Sequence, residues 1–319
     1  MKSKSIVRLF LFTILFILLL SSPLLAKEIF IRTGTSSVGG GFYLIGNTIT
    51  QLGNRVLKDY NFTAITGGSI KNCYNLDKKE IELGIVQSAT LQDAWTGKGS
   101  FDGKPIKSLR WITAIYPMPF HILVNLKSGI SSIDDFKGKR VDIGPVGGGI
   151  EVNTKKLLAF YNISLDDLNI QRFGRSEVSE ALKTGRSEAH IWATNAPNAM
   201  ISDMIHSKKV GLIGIEPEKI DEMVKELPAF AKVVIPAGTY EGYNNDIPVI
   251  APVGSLLTYA DMDEETIYKI TKTLFENVEF LRDRLNYFNS FKIENSLNGM
   301  TIPLHPGAEK YYKEIGLIK

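Results

Sequence analysis

Three stretches of bare backbone constrain this chain more than anything else in it. "GTSSVGGG" (34–41), "TGGS" (66–69) and "GPVGGG" (144–149) each follow a β-rich run and each open a helix-patterned one. "EIFIRT" (28–33) precedes the first, and Ile45, Ile49, Leu52 and Val56 follow it at steps of four, three and four. That is the spacing of one buried helix face. "NFTAIT" (61–66) leads into the second, "SIKNCYNLDKKE" reads as the helix after it, and "IELGIVQ" (81–87) as a buried strand before the helix of "ATLQDAWTG". Strand, glycine or polar loop, helix, repeated, is the rhythm of an α/β fold with mainly parallel strands.

The rhythm is interrupted twice. "LRWITAIYPMPFHILVNLKSG" reads as a strand, a crossing at Pro117 and Pro119, and a second strand; a proline pair suits an exposed bend. The alternation restarts with "KRVDIGP" (139–145) as strand and a helix over 150–161 with Ile150, Leu157, Leu158 and Tyr161 on one face. "SEVSEALKTG" (176–185) follows, with Ser176 as N-cap and Gly185 as stop, then the strand "SEAHIWAT" (187–194) and a polar loop into "NAPNAMISDMIH". A second proline-marked crossing falls in "YNNDIPVIAPVG" (243–254). Beyond it Ile267, Ile270, Leu274, Val278 and Leu281 mark the clearest helix, with Asp263, Glu264 and Glu265 in its first turn, where negative charge suits the helix dipole. Pro306 starts a last short helix. Two crossings between two α/β blocks predict two lobes, 27–116 with 250–319 and 117–249, and a ligand cleft between them.

Composition matters here for what it excludes. Lys2, Lys4 and Arg8 form a basic head, "LFLFTILFILLL" an apolar run and Ala26 a small residue at a cut, the pattern of a secretory signal peptide over residues 1–26. The leader holds three of the 37 Lys+Arg and none of the 34 Asp+Glu, so the remainder carries 34 of each and no net charge. That balance gives no footing for nucleic acid as a partner. No later run is apolar enough to span a bilayer, so the expectation is a protein outside the cytoplasm with no stable membrane insertion after cleavage. Cys73, the sole cysteine, excludes an internal disulfide and reads as a small buried hydrophobe on a helix.

The glycine loops suggest chemistry. The first N–H groups of a helix lack intrahelical partners and carry part of the dipole's positive charge, so anions dock there. Glycine removes the Cβ that blocks close approach. Thr35, Ser36, Ser37, Thr66 and Ser69 add hydroxyl donors, and Gln87 ends its strand at the same sheet edge. Arg32, Arg172 and Arg175 are possible supplements near strand ends. Other chemistries find little support. No glycine loop holds a dinucleotide fingerprint in frame or a following Lys-Ser/Thr, and no Gly-x-Ser-x-Gly occurs. His121, His190, His206 and His305 are scattered and read as core or surface polar residues, so neither cofactor nor metal is expected.

"GGGFYLIG" (39–46), "TGGSIKN" (66–72), "ELGIVQS" (82–88), "AIYPMPFHILV" (114–124), "DDFKGKRVDIGPVGGGIEV" (134–152) and "IPLHPGAEKYYKE" (302–314), in this order, resemble the TAXI family, the solute-binding receptors of TRAP-type secondary transporters. The resemblance spans the chain beyond the leader. It implies a two-lobed periplasmic-binding-protein fold of type II-like form, each lobe a mixed, mainly parallel sheet flanked by helices. It also implies a non-enzymatic role: capture of a small organic acid, glutamate- or 2-oxoglutarate-like, and delivery to TRAP membrane subunits. Carried over by motif, the first-lobe contacts are Thr35, Gly41, Tyr43, Ser69, Gln87 and Ser88. Those of the second lobe are Gly147, Gly148, Gly149 and the Asn195–Asn198 loop, with Tyr116 at the first crossing. Two departures stand out. The family's second-lobe loop often reads Gly-Ser-Gly-Thr-Glu, whereas Gly147–Glu151 here lacks both hydroxyls, and Ala89 stands where many members carry an acidic residue. Both turn the expectation from an amino acid toward an acid without an amino group, such as a keto-dicarboxylate. A secreted α/β enzyme with its site in the cleft, or a ligand-sensing input to a signalling receptor, would use the same architecture.

Overall fold

The computed structural model describes residues 28–146, 149–174 and 176–319; the leader expected over 1–26 lies outside them. The first block runs β1 (Ile29–Gly34), α1 (Gly41–Val56), β2 (Tyr60–Ile65), α2 (Ser69–Asp77), β3 (Leu83–Gln87), α3 (Ser88–Thr96) and β4 (Leu109–Pro117). The next runs β5 (Phe120–Asn125), β6 (Arg140–Asp142), α4 (Gly149–Phe160), β7 (Asn169–Gln171), α5 (Val178–Thr184), β8 (Ala189–Ala193), α6 (Ala199–His206), β9 (Val210–Ile213) and α7 (Pro217–Glu226). The chain then returns through β10 (Phe230–Ile235) and β11 (Ile247–Tyr259) to α8 (Glu264–Glu276), α9 (Val278–Arg284) and α10 (Pro306–Glu314).

Two sheets result. The first is ordered β10-β11-β3-β1-β2, with β4 on β11, and the second β7-β6-β8-β5-β9. Among the named strands, β1 pairs parallel with β2 and β3, and β6 with β7 and β8. The strands that carry the chain between blocks, β4, β5 and β11, pair antiparallel. Both sheets are therefore mixed, with less parallel pairing than the alternation alone suggests. The predicted strands and helices of the first block appear within about three residues of their expected ends. Ile45, Ile49 and Leu52 are buried as their spacing requires, while Val56, at the end of the helix, is exposed.

Each core explains its elements. One apolar cluster, with Leu123, Leu157 and Ile191, fills the second lobe. Two others, around Ile45 with Leu256 and around Trp111 with Leu257, cover the faces of the first sheet. Ala89 of α3 packs into the second-lobe cluster, so that helix bridges the two. Burial pushes the Cys73 thiol well above its ordinary range, consistent with a packing role.

Three local expectations are corrected. The Pro117–Pro119 bend is not exposed: Met118 is 5% exposed and Pro119 is buried, because two cores close over the crossing and Met118 donates its N–H to Pro252 at 2.9 Å. The second proline-marked crossing is not a break. It is one strand, β11, whose first half pairs β10 and whose second half pairs β3 and β4. Pro248 and Pro252 lie in the half with a ladder on one side, where a missing N–H is tolerated. The boundary read at 249/250 falls inside this strand. Finally, Glu177, not Ser176, precedes α5, and the long helix read over Ile267–Leu281 is divided at Asn277, between α8 and α9.

Candidate functional site

The ends of β1, β2 and β3 deliver their loops to one edge of the first sheet. Thr35 is fully buried there, its N–H and hydroxyl both donating to the Ile65 carbonyl at 2.8 and 2.9 Å. Asn72 of α2, also fully buried, donates to the carbonyls of Thr35 and Ile85, each at 2.9 Å, and so ties the β1 loop to β3. A Cβ on Gly67 would collide with the Asn72 Oδ1, which explains the glycine there. Ser36 accepts the N–H of Tyr43 at 3.1 Å and caps α1, whose N-cap Gly40 has no side chain to do so. Across the gap the β6 loop hangs from ionisable side chains. The Asp142 Oδ1 accepts the N–H of Gly144 (3.0 Å) and of Phe173 (2.9 Å), and its Oδ2 lies 2.8 Å from the His190 Nδ1, both side chains being buried. Arg172 donates to the Gly144 carbonyl at 3.0 Å and to Glu151 at 2.8 Å.

A groove of about 630 Å³ runs between these edges, lined by Ser69, Lys71, Tyr74, Lys78 and Thr90 from the first lobe and by Gly149 from the second. It therefore sees the N-termini of α2 and α4 together. Among the described residues neither lysine takes part in an ion pair, and no Asp or Glu lines the groove. At the seam lies Gln87, 8% exposed. Its N–H goes to the Ser69 hydroxyl at 3.1 Å and its Nε2 faces the Met118 sulfur at 4.0 Å. Its Oε1 is buried with no hydrogen-bond partner among the described residues, and a Cβ on Gly149 would stand 3.3 Å from it. Glycine lets the second lobe approach that amide closely. Beside this seam Lys156 of α4 meets Asp93 of α3 at 2.7 Å, an ion pair between lobes.

A family model described as the NMT1-like family matches residues 33–316. This chain belongs to the NMT1-like family. Two solved structures share its fold at low identity. The Xanthomonas citri protein XAC2383 bound to ATP superposes with a TM-score of 0.55 at 8% identity, covering 91% of this chain and 96% of that one. A structure described as that of a periplasmic transporter gives 0.51 at 16% identity, covering 93% and 94%. The NMT1-like chain thus has the periplasmic-binding-protein fold, two mixed sheets with flanking helices, as the resemblance implied.

Within this NMT1-like fold the expected site residues take different places. Ser69, Gln87 and Gly149 come together at the seam; Gly147, Gly148 and Arg175 lie outside the described residues. Gly41 and Tyr116 meet elsewhere, at Tyr287: the Tyr116 and Tyr287 rings stand edge-on at 5.0 Å, and a Cβ on Gly41 would lie 3.2 Å from the Tyr287 ring. Tyr116, Tyr287 and Asn195 line a second, smaller cavity of about 200 Å³ at the first crossing. Tyr43 is half-buried in the first turn of α1. Thr35 spends its hydroxyl on Ile65, as described above. Ser88 is fully buried, donating to the Ala229 carbonyl at 2.5 Å and accepting the Val253 N–H at 2.8 Å; it ties α3 to the strands at the second crossing instead of facing the groove.

Asn198 is the N-cap of α6, accepting the N–H groups of Met200 and Ile201. Its own N–H reaches the Tyr240 hydroxyl at 3.1 Å, which lies 2.8 Å from the His121 Nε2. Burial lowers the His121 pKa to about 4, so the ring is neutral and Nε2 accepts from Tyr240, whose own pKa burial raises to about 12. Asn195 donates to the Pro197 carbonyl at 2.8 Å. Arg32 pairs with Glu82 through two nitrogens, at 2.6 and 3.0 Å, away from the groove. Asn72, Asp142 and Tyr287 were not singled out by sequence. Nothing in their spacing marks them, because each acts through partners distant along the chain.

Proposed function

We propose that this chain is an extracytoplasmic solute receptor, one that captures a small organic acid between its lobes and hands it to a membrane transporter without chemical change. The observation that carries this reading is the groove. Helix N-termini from both lobes open onto it, two lysines without ion pairs stand on its wall and no carboxylate lines it among the described residues. A carboxylate docked on such amides gains charge-assisted hydrogen bonds at little cost in reorganisation. The six family-like stretches support a TRAP-type transporter as the recipient, and a C4–C6 dicarboxylate or acidic amino acid as the ligand class. The leader pattern supports a periplasmic location. No helix among the described residues is long and apolar enough to cross a membrane. The two lobes, 27–116 with 250–319 and 117–249, would close about the buried crossing at Pro117–Pro119 and about β11.

A thermal-shift panel of C4–C6 dicarboxylates and acidic amino acids tests the reading. A ligand present at a hundred times its Kd stabilises the folded state by about 2.7 kcal/mol. At least one acid is expected to raise Tm accordingly; a flat panel removes the proposal. Ligand-dependent uptake in vesicles carrying TRAP-type membrane subunits, with this chain supplied in solution, tests the recipient.

A further inference from the structure

Resting on that reading, we infer that the ligand is a hydroxycarboxylic acid, bearing an O–H donor beside the carboxylate that the helix ends receive. Three observations converge on this. The first is the Gln87 Oε1, buried at the seam without a partner among the described residues, while the same amide's Nε2 faces the Met118 sulfur at 4.0 Å. A buried acceptor left unpaired is costly, so a ligand that donates to it is favoured over one that does not. The second is the lack of a counter-charge for an ammonium group. Ala89 is fully buried in the second-lobe core, and the carboxylates on the two helices that meet here, Asp93 of α3 and Glu151 of α4, already face Lys156 and Arg172. The third is the pair of cations, Lys71 and Lys78, on the groove wall, which repel an ammonium and attract anionic groups.

Each competing acid fails on one of these. An amino acid supplies a donor but brings a positive charge with nothing to meet it. A keto acid presents a carbonyl oxygen to the Gln87 oxygen, and two acceptors repel. An unsubstituted dicarboxylate leaves the Gln87 Oε1 unpaired. A hydroxyl donates to Gln87 and adds no charge.

Titration calorimetry on the purified protein with matched sets decides this: glutarate, 2-hydroxyglutarate, 2-oxoglutarate and glutamate, and the four-carbon set of succinate, malate and aspartate, both enantiomers where they exist. A 2-hydroxy acid is expected to bind on the order of tenfold more tightly than its unsubstituted counterpart. Gln87→Leu is expected to erase that preference, the 2-hydroxy acid losing more affinity than its unsubstituted counterpart. Tightest binding by a keto, amino or unsubstituted acid overturns the inference, as does a hydroxyl preference that survives Gln87→Leu. If that variant does not fold, the unsubstituted chain's own ranking decides. Binding by none of these acids removes the receptor reading and this inference with it; binding without the hydroxyl preference removes the inference alone.

Discussion

The two walls of the groove are built by opposite means. On the first lobe the loops hang from uncharged groups: Asn72 bonded to two carbonyls, Thr35 to Ile65, Ser69 to Gln87. On the second lobe they hang from titratable ones: Asp142 with His190, Arg172 with Glu151, and the neutral His121 that holds Tyr240 against Asn198. Neutral amides hold their geometry at any ordinary pH. Buried charges hold theirs only while each is paired, and removing one partner strands the other. The second wall should therefore be the one that breaks first, by mutation or, through His121, by acid.

Asp142→Ala probes the charged side most severely. It removes the acceptor for Gly144 and Phe173 and the partner of His190, and a loss of about 3–5 kcal/mol in urea unfolding is expected. Asn72→Ala is its neutral counterpart. Two buried carbonyls lose a donor, for an expected loss of about 2–3 kcal/mol. If Asn72→Ala costs more than Asp142→Ala, the contrast between the walls is wrong.

Acid should separate the walls without mutation. Between pH 6.5 and about 4 the unfolded His121 takes up a proton that the folded ring refuses, so stability falls as pH falls across that window. From pH 7 to 5 the loss is about 2 kcal/mol for this group. Tyr240→Phe removes the donor to the same ring and should change that slope, whereas Asn72→Ala should leave it untouched. Hydrogen exchange at pH 5 should rise in 194–201 before it rises in 66–72. The smallest expected effect is Ser36→Ala, which uncaps α1 for about 1 kcal/mol at any pH.

Much of this was legible in the sequence, for a physical reason. Glycine loops between strand and helix patterns fix local geometry wherever they occur, and they mark the helix starts at Ser69 and Gly149 that the structure brings together, with Gln87 read from the end of its strand. What failed was whatever depends on a distant partner. Pro117 and Pro119 read as an exposed bend because a proline pair carries no sign of the two cores that bury it. The short strands β7 and β9 escaped notice because too few residues alternate in them. Ser88 and Asn198 have the right chemistry for a ligand, but Ala229 and Val253, and the first turn of α6, already engage them. Asp142 and Arg172 look like ordinary surface charges until the fold sets them beneath the glycine loop.

The single strand β11 has a mechanical meaning. Its leading half is clamped to β10 and buried with the second lobe's core, its trailing half to β3 and β4 under the first lobe's. A shaft gripped at both ends transmits torque. A swing of one half of the molecule against the other would be shared between the Pro117–Pro119 crossing and twist along these thirteen residues, and that stiffness would limit how far the jaws part.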